Sequence, residues 1–274
     1  MPKDVINGVE LYWELSGQSG PVIVLIHGAW IDHNNWGELV PYLEKSFRVL
    51  NYDRRGHSQS ERPTKQGSMK DHIADLVELL TFLDLPLAHL LGNSYGAMIA
   101  LRTAAEHPEV CLSVSAHEPP FLHLNEAAMS NKDVAEMDQL QRDVVEKLMA
   151  GEMESSISRF MNAVVLPDVW DTFPDDFRKF LVSQAPTFID DVNDPDPWSV
   201  NLEKLAKFSQ PTLLTQGENS AKFYGVILDE IHKAVPQAER LVIQGADHGP
   251  QVSHPQEYAE IIMSFISKNT YRLM

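Results

Sequence analysis

A single cysteine, Cys111, stands in the 274 residues. One thiol cannot close an internal disulfide, and it offers no cysteine cluster for a metal. Its neighbours Val110, Leu112 and Val114 alternate as on a buried strand, which makes it a core residue rather than a nucleophile. Positive charge is scarce as well: 22 Lys and Arg face 39 Asp and Glu, a net charge of -17 that repels nucleic acid and anionic membrane surfaces. No apolar run approaches the length of a membrane span, and the N-terminus carries no stretch resembling a signal peptide, so a cytoplasmic location is expected. Internal repeats and low-complexity segments are missing too. What is present is an ordinary globular composition, 43% hydrophobic and 22% charged, over a length that suits one large α/β domain with an insertion.

The chemistry is declared at Leu90-Leu91-Gly92-Asn93-Ser94-Tyr95-Gly96-Ala97. A buried-strand pattern ends there and a helical one begins, with a serine between two glycines. A hydroxyl is a poor nucleophile unless a base takes its proton, and a sharp strand-to-helix turn presents it to both base and substrate. Glycines at both flanks let strand and helix approach closely, and the free N–H groups of the helix start can hold developing negative charge.

Around this turn the chain alternates strands and helices. Asn7-Gly8 marks a hairpin, Val22-Ile23-Val24-Leu25-Ile26 has the continuous apolar character of a strand covered on both faces, and a helix is expected from about Trp36 to Glu44. Helical spacing returns from Asp71 to Leu83, and strands are expected at Phe47-Leu50 and Val110-Ala116. With His27-Gly28 closing the third strand and Gly92 to Gly96 forming the elbow, the chain resembles the α/β-hydrolases. The resemblance implies a mostly parallel eight-stranded sheet with helices on both faces. It also implies that backbone N–H groups of Ala29 and Tyr95 hold the oxyanion, and that His27 holds its loop in place. Asp53-Arg54-Arg55-Gly56-His57-Ser58 resembles a structural loop of that family, with Ser58 at a position usually given to glycine. Arg55 and His57 are therefore read as structural.

A serine hydrolase needs a histidine and usually a carboxylate behind it. His248, in the loop after the last strand pattern, stands where the family keeps its base. Asp247 is adjacent, and neighbouring side chains on an extended loop point apart, so it is a poor orienter. Many relatives place the acid in a Gly-x-x-Asp pattern, but here Gly217-Glu218-Asn219-Ser220 puts a serine in that place. Other relatives, among them lactone-opening hydrolases, place a carboxylate after the strand that follows the nucleophile helix. Glu118, followed by Pro119 and Pro120, stands there and is preferred to Glu218.

Residues 1–120 and 208–274 are assigned to the core and 121–207 to an inserted helical cap, with helices over 134–149, 155–165 and 174–183 and a short fourth near Phe188. Acidic residues outnumber basic ones 17 to 8 in that insertion, which disfavours a polyanionic substrate. Trp30, Phe121, Phe160, Trp170 and Phe188 are candidate pocket residues. The expected activity is hydrolysis of a neutral, moderately hydrophobic ester or lactone through an acyl-enzyme: Ser94 attacks, His248 moves the proton and Glu118 orients it, with no metal or organic cofactor implied. Three alternatives stay open: a cofactor-free ring-opening dioxygenase, a carbon–carbon bond hydrolase and a ligand receptor without catalysis. Oligomeric state is not readable, and a small-molecule substrate is the only partner expected.

Overall fold

The computed structural model describes residues 2–195 and 198–270. Strand β1 (Lys3–Ile6) turns through Asn7 and Gly8 into β2 (Val9–Ser16). Both turn residues take positive φ, 47° and 77°, as a two-residue hairpin requires. After β3 (Val22–Ile26) come a 3-10 turn (His33–Trp36) and a one-turn helix α1 (Val40–Leu43) instead of the continuous helix expected from Trp36. Pro41 is the reason: it has no N–H to give to an earlier carbonyl, so a helix can begin around it but not run through it unchanged. Strand β4 (Arg48–Tyr52) and helix α2 (Met69–Phe82) follow. Ser68 caps α2, its hydroxyl accepting from Asp71 N while the Asp71 carboxylate accepts from Ser68 N.

Then come β5 (Ala88–Asn93), α3 (Tyr95–Glu106) and β6 (Cys111–His117). The insertion before the next strand holds α4 (Glu126–Met129), α5 (Lys132–Met149), α6 (Met153–Val164), α7 (Asp175–Val192) and α8 (Leu202–Ala206). The two helices expected at 174–183 and near Phe188 are the single helix α7, which runs through Pro186. Proline there removes one helical hydrogen bond, whereas Leu181, Ala185 and Phe188 continue one buried face across it. The core resumes with β7 (Thr212–Gly217), α9 (Lys222–Ala234), β8 (Glu239–Ile243), α10 (Pro250–Ser253) and α11 (Pro255–Thr270). Among the described residues no helix is long and apolar enough to cross a membrane.

The eight strands form one sheet in the order β1-β2-β4-β3-β5-β6-β7-β8, antiparallel from β1 to β4 and parallel from β4 to β8. Alternation along β3 divides the core: Val22, Val24 and Ile26 face the α2 and α3 side, while Ile23 and Leu25 face the α11 side. The register pairs Ile26 with Gly92, Asn93 with His117, His117 with Thr215 and Gly217 with Ile243. The carboxyl ends of five strands therefore finish together at one edge, where open α/β sheets bind ligands.

Arg54 ties helix α7 to the strand ends and loops around it. Fully buried, it donates to Asp191 of α7 at 3.3 Å, to Gly28 O at 3.2 Å and to the rings of His72 and His57 at 3.1 and 3.0 Å, and it lies over the Tyr95 ring at 4.6 Å. Asp191→Ala would strand this charge in the interior. Losing one partner of such a pair typically costs about 3–5 kcal/mol, so the urea midpoint should fall sharply; an unchanged midpoint would mean that the ion pair contributes nothing.

Five buried histidines have their pKa values held below the usual range, burial being the first cause in each: His27, His57, His72, His89 and His117. For His89 and His117 the value falls to about 4. Above pH ~6.5 both folded and unfolded chains carry these rings neutral. Below it the unfolded chain takes up protons that the folded chain refuses, so stability falls as pH drops from ~6.5 toward 4, by up to about 1.4 kcal/mol per pH unit for each ring. His33, raised despite its burial by its bond to Asp53, works in the opposite direction. Urea midpoints measured at pH 7.5 and pH 5 should show a clear loss at the lower pH. Equal midpoints would contradict this linkage.

Candidate active site

The elbow depends on absent side chains. A Cβ on Gly96 would lie 2.0 Å from Ile26 O, and one on Gly92 would lie 2.3 Å from Gly96 O, so only glycine lets β5, α3 and β3 approach this closely. Between them Ser94 is held at φ 55° and ψ -122°, a conformation that costs an ordinary residue about 1–3 kcal/mol and lifts its side chain out of the strand. Its N–H is anchored by His117 O at 2.9 Å. Asn93 donates from Nδ2 to His248 O at 2.9 Å, fastening the elbow to the histidine loop.

Glu118 lies just beyond β6, also with positive φ (49°), and is fully buried. Its Oε2 is 2.6 Å from His248 Nδ1, and its Oε1 accepts from Gly217 N at 2.7 Å. Burial pushes the Glu118 carboxyl pKa up, but His117, His248 and the nearby Ser220 hydroxyl outweigh it and leave the value lowered. Ser220 Oγ lies close without reaching hydrogen-bond geometry. The serine thus leaves room for a carboxylate that arrives from the neighbouring strand. Glu218 is engaged elsewhere, accepting from Gly245 N at 2.8 Å, and Asp247 accepts from Gly249 N at 2.8 Å, just ahead of α10.

With its Nδ1 proton directed at Glu118, His248 offers Nε2 as an acceptor. The Tyr224 hydroxyl occupies that nitrogen at 3.3 Å, and the two rings stack with centroids 4.7 Å apart and planes 13° apart. Among the described residues Ser94 Oγ makes no hydrogen bond to Nε2, a contact that in substrate-free enzymes often tightens only on binding. Tyr224 has no counterpart in the sequence reading: Phe223-Tyr224 at the start of a helix has the pattern of core packing, and nothing in the spacing separates the two.

Ser94, His248, Ala29 and Tyr95 line one cavity of about 270 Å³. Neither the Ala29 nor the Tyr95 N–H has a protein acceptor among the described residues. The Gly28 carbonyl between β3 and Ala29 is held by His27 Nδ1 at 2.8 Å and by Arg54, and His27 Nε2 accepts from Arg54 N at 3.0 Å. His27 is thereby committed on both sides to shaping this loop. Arg55 pairs with Asp75, and Ser58 takes the positive φ (44°) usually given to glycine.

Trp30, Phe160 and Phe188 line the cavity as a cluster, with the Trp30 and Phe188 rings stacked at 4.4 Å. Phe121 and Trp170 do not line it, which corrects the expectation for both. Phe121 is fully buried in the core where the insertion leaves β6, and the Trp170 ring packs against Phe173 and Arg178. Met137, Gln141, Trp198 and Tyr224 are lining residues that the sequence does not single out. Among the described residues two clusters bring ligand atoms within 4.8 Å of one another, His117-Glu118-His248 and Asp32-His33-Asp53. In both, carboxylate oxygens already accept protein hydrogen bonds: Glu118 from Gly217 N, Asp53 from His33 N and Gln59 N.

A family model of the alpha/beta hydrolase fold matches residues 21–255. An uncharacterized hydrolase of Bacillus subtilis, YraK, is 31% identical over 150 residues, 53% of this chain and 55% of that protein, so the match spans about half of that relative. A pimeloyl-[acyl-carrier protein] methyl ester esterase of Aeromonas hydrophila is 26% identical over 263 residues, covering 90% of this chain and 96% of the esterase. The crystal structure of an enol-lactonase from Burkholderia xenovorans superposes with a TM-score of 0.76 at 20% identity, covering 97% of this chain and all of that one. With the elbow, the sheet order and the match over most of its length, the chain belongs to the α/β-hydrolase family.

Proposed function

We propose that this protein hydrolyses a neutral, moderately hydrophobic carboxylic ester or lactone through an acyl-enzyme on Ser94. The observation that carries the reading is the 2.6 Å contact of His248 Nδ1 with the buried Glu118 carboxylate, which orients the imidazole that opens into the same cavity as Ser94. In this mechanism Nε2 takes the Ser94 proton as Oγ attacks the carbonyl carbon. The oxyanion is held by the Ala29 and Tyr95 N–H groups, and Nε2–H returns the proton to the departing oxygen. Water activated by the same nitrogen then releases the acid.

The apolar lining by Trp30, Phe160 and Phe188 supports an uncharged, hydrophobic acyl or alcohol part. A cavity of about 270 Å³ favours a compact substrate over a long chain. The net charge of -17 disfavours phosphate esters and nucleic acid. The names of the enol-lactonase and the methyl ester esterase agree with a carboxylic ester or lactone as the bond cleaved. In this reading segment 121–207 is the lid, and the protein works in the cytoplasm without a cofactor. A screen of short and medium aryl esters and lactones, with a fluorophosphonate label mapped by peptide mass, tests the reading. Turnover together with a label on Ser94 supports it; no turnover and no label would favour a receptor.

A further inference from the structure

Tyr224 occupies the place where a departing oxygen must be protonated, and nothing in the reaction derived above uses it. Its hydroxyl is 3.3 Å from His248 Nε2, its ring lies flat on the imidazole, and the residue lines the cavity while being 1% exposed. Burial and the Glu118 charge hold the pKa of the phenol well above the ordinary value, while the neighbouring Ser94 hydroxyl pulls the other way. The phenol therefore stays a neutral donor across the working pH range.

What that donor does changes during the reaction. In the resting enzyme Nε2 is an acceptor and takes the Tyr224 hydrogen bond. Once Nε2 has taken the Ser94 proton it becomes a donor itself, and the phenol loses its acceptor. The oxygen acquiring negative charge at that moment is the one leaving the tetrahedral carbon, beside Nε2–H.

We propose that Tyr224 is a catalytic hydrogen-bond donor to the leaving-group oxygen, and that it fits this site to esters and lactones with poorly departing alkoxides. The proposal rests on the acyl-enzyme reading. In the step concerned the carbon–oxygen bond breaks, its electron pair stays on the departing oxygen, and that oxygen receives the Nε2 proton. Tyr224 keeps its own proton and contributes only the hydrogen bond. An aryl ester, whose phenolate departs readily, gains little from such help, whereas an alkyl ester or an aliphatic lactone gains much.

The test is Tyr224→Phe, which retains the ring and its stacking, assayed on an alkyl ester and a 4-nitrophenyl ester of the same acid. A donor to charge that develops in the transition state is worth ~100-fold, so kcat/KM on the alkyl ester should fall by about that factor, and the aryl-to-alkyl ratio should rise at least tenfold. The dependence of log kcat/KM on leaving-group pKa, measured over a series of esters, should steepen in the variant. An equal loss on both esters would overturn the proposal, since it would show that Tyr224 only positions His248; no loss on either would overturn it as well. Fluorophosphonate labelling of Ser94 in the unsubstituted protein separates the two failures. If that label is absent, the acyl-enzyme itself is wrong; if it is present and the ratio does not move, only the role of Tyr224 is.

Discussion

Ser94→Ala should lower ester turnover by about 10⁶-fold, the scale seen when the nucleophile of a serine hydrolase is deleted. The residual rate would come from the two N–H donors and from substrate placement, which together can retain ~10³–10⁴-fold over water. The substitution removes one atom and adds none, and alanine keeps the Cβ that serine already holds at φ 55°. KM should change little, since the hydroxyl contributes to bond making and not to the apolar lining. The same variant separates the two chemistries that share this fold. In a ring-opening oxygenase driven by His248 as a base, the serine only binds substrate, and substantial turnover would survive its loss. Kinetics on one ester before and after the substitution, with the urea midpoint as a folding control, decides between them.

The second large effect is expected at Glu118. Glu118→Gln keeps the shape but removes the charge, and an amide can present its N–H₂ to Nδ1 and reverse the imidazole tautomer. In a comparable triad that change lowers kcat by ~10⁴-fold, and a similar loss is expected here. Glu218→Gln should leave kcat within a few-fold, because Glu218 is bonded to Gly245 N on the far side of the turn. Steady-state kcat of the two variants is the direct comparison. A large loss at Glu218 with little at Glu118 would place the orienting charge elsewhere. Glu118 is buried among His117, His248 and Gly217 N, so Glu118→Gln should also shift stability, and kcat must be read on protein shown to be folded.

Much of this site was legible in the sequence because steric necessity leaves marks there. Two glycines four apart around a serine are demanded by contacts of 2.0 and 2.3 Å that no side chain could survive. The Ser220 that stands in the common acid position, together with a glutamate ahead of two prolines, directs attention to Glu118, and the structure puts its carboxylate 2.6 Å from His248 Nδ1. Register then does what sequence cannot show: the pairing of Asn93 with His117, of His117 with Thr215 and of Gly217 with Ile243 brings the strand ends that precede Ser94, Glu118 and His248 to one edge.

The misreadings have equally specific causes. Aromatic identity does not say which face of an element a ring occupies, so Phe121 and Trp170 looked like lining residues yet pack away from the cavity. Tyr224, which no pattern in the sequence marks, lies on the imidazole. Pro41 and Pro186 carry the same local rule, yet Pro41 stands in the first turn of α1 and Pro186 inside α7. Tertiary contacts, absent from any spacing pattern, decide each of these cases.

The most direct test of the account is a rapid-quench experiment with a short 4-nitrophenyl ester, followed by peptide mass mapping within the first turnover. The account predicts a burst of 4-nitrophenol and an added acyl mass on the peptide that contains Ser94, both absent in Ser94→Ala. Steady turnover with an unmodified Ser94 peptide at every time point, and a comparable rate in Ser94→Ala, would contradict it.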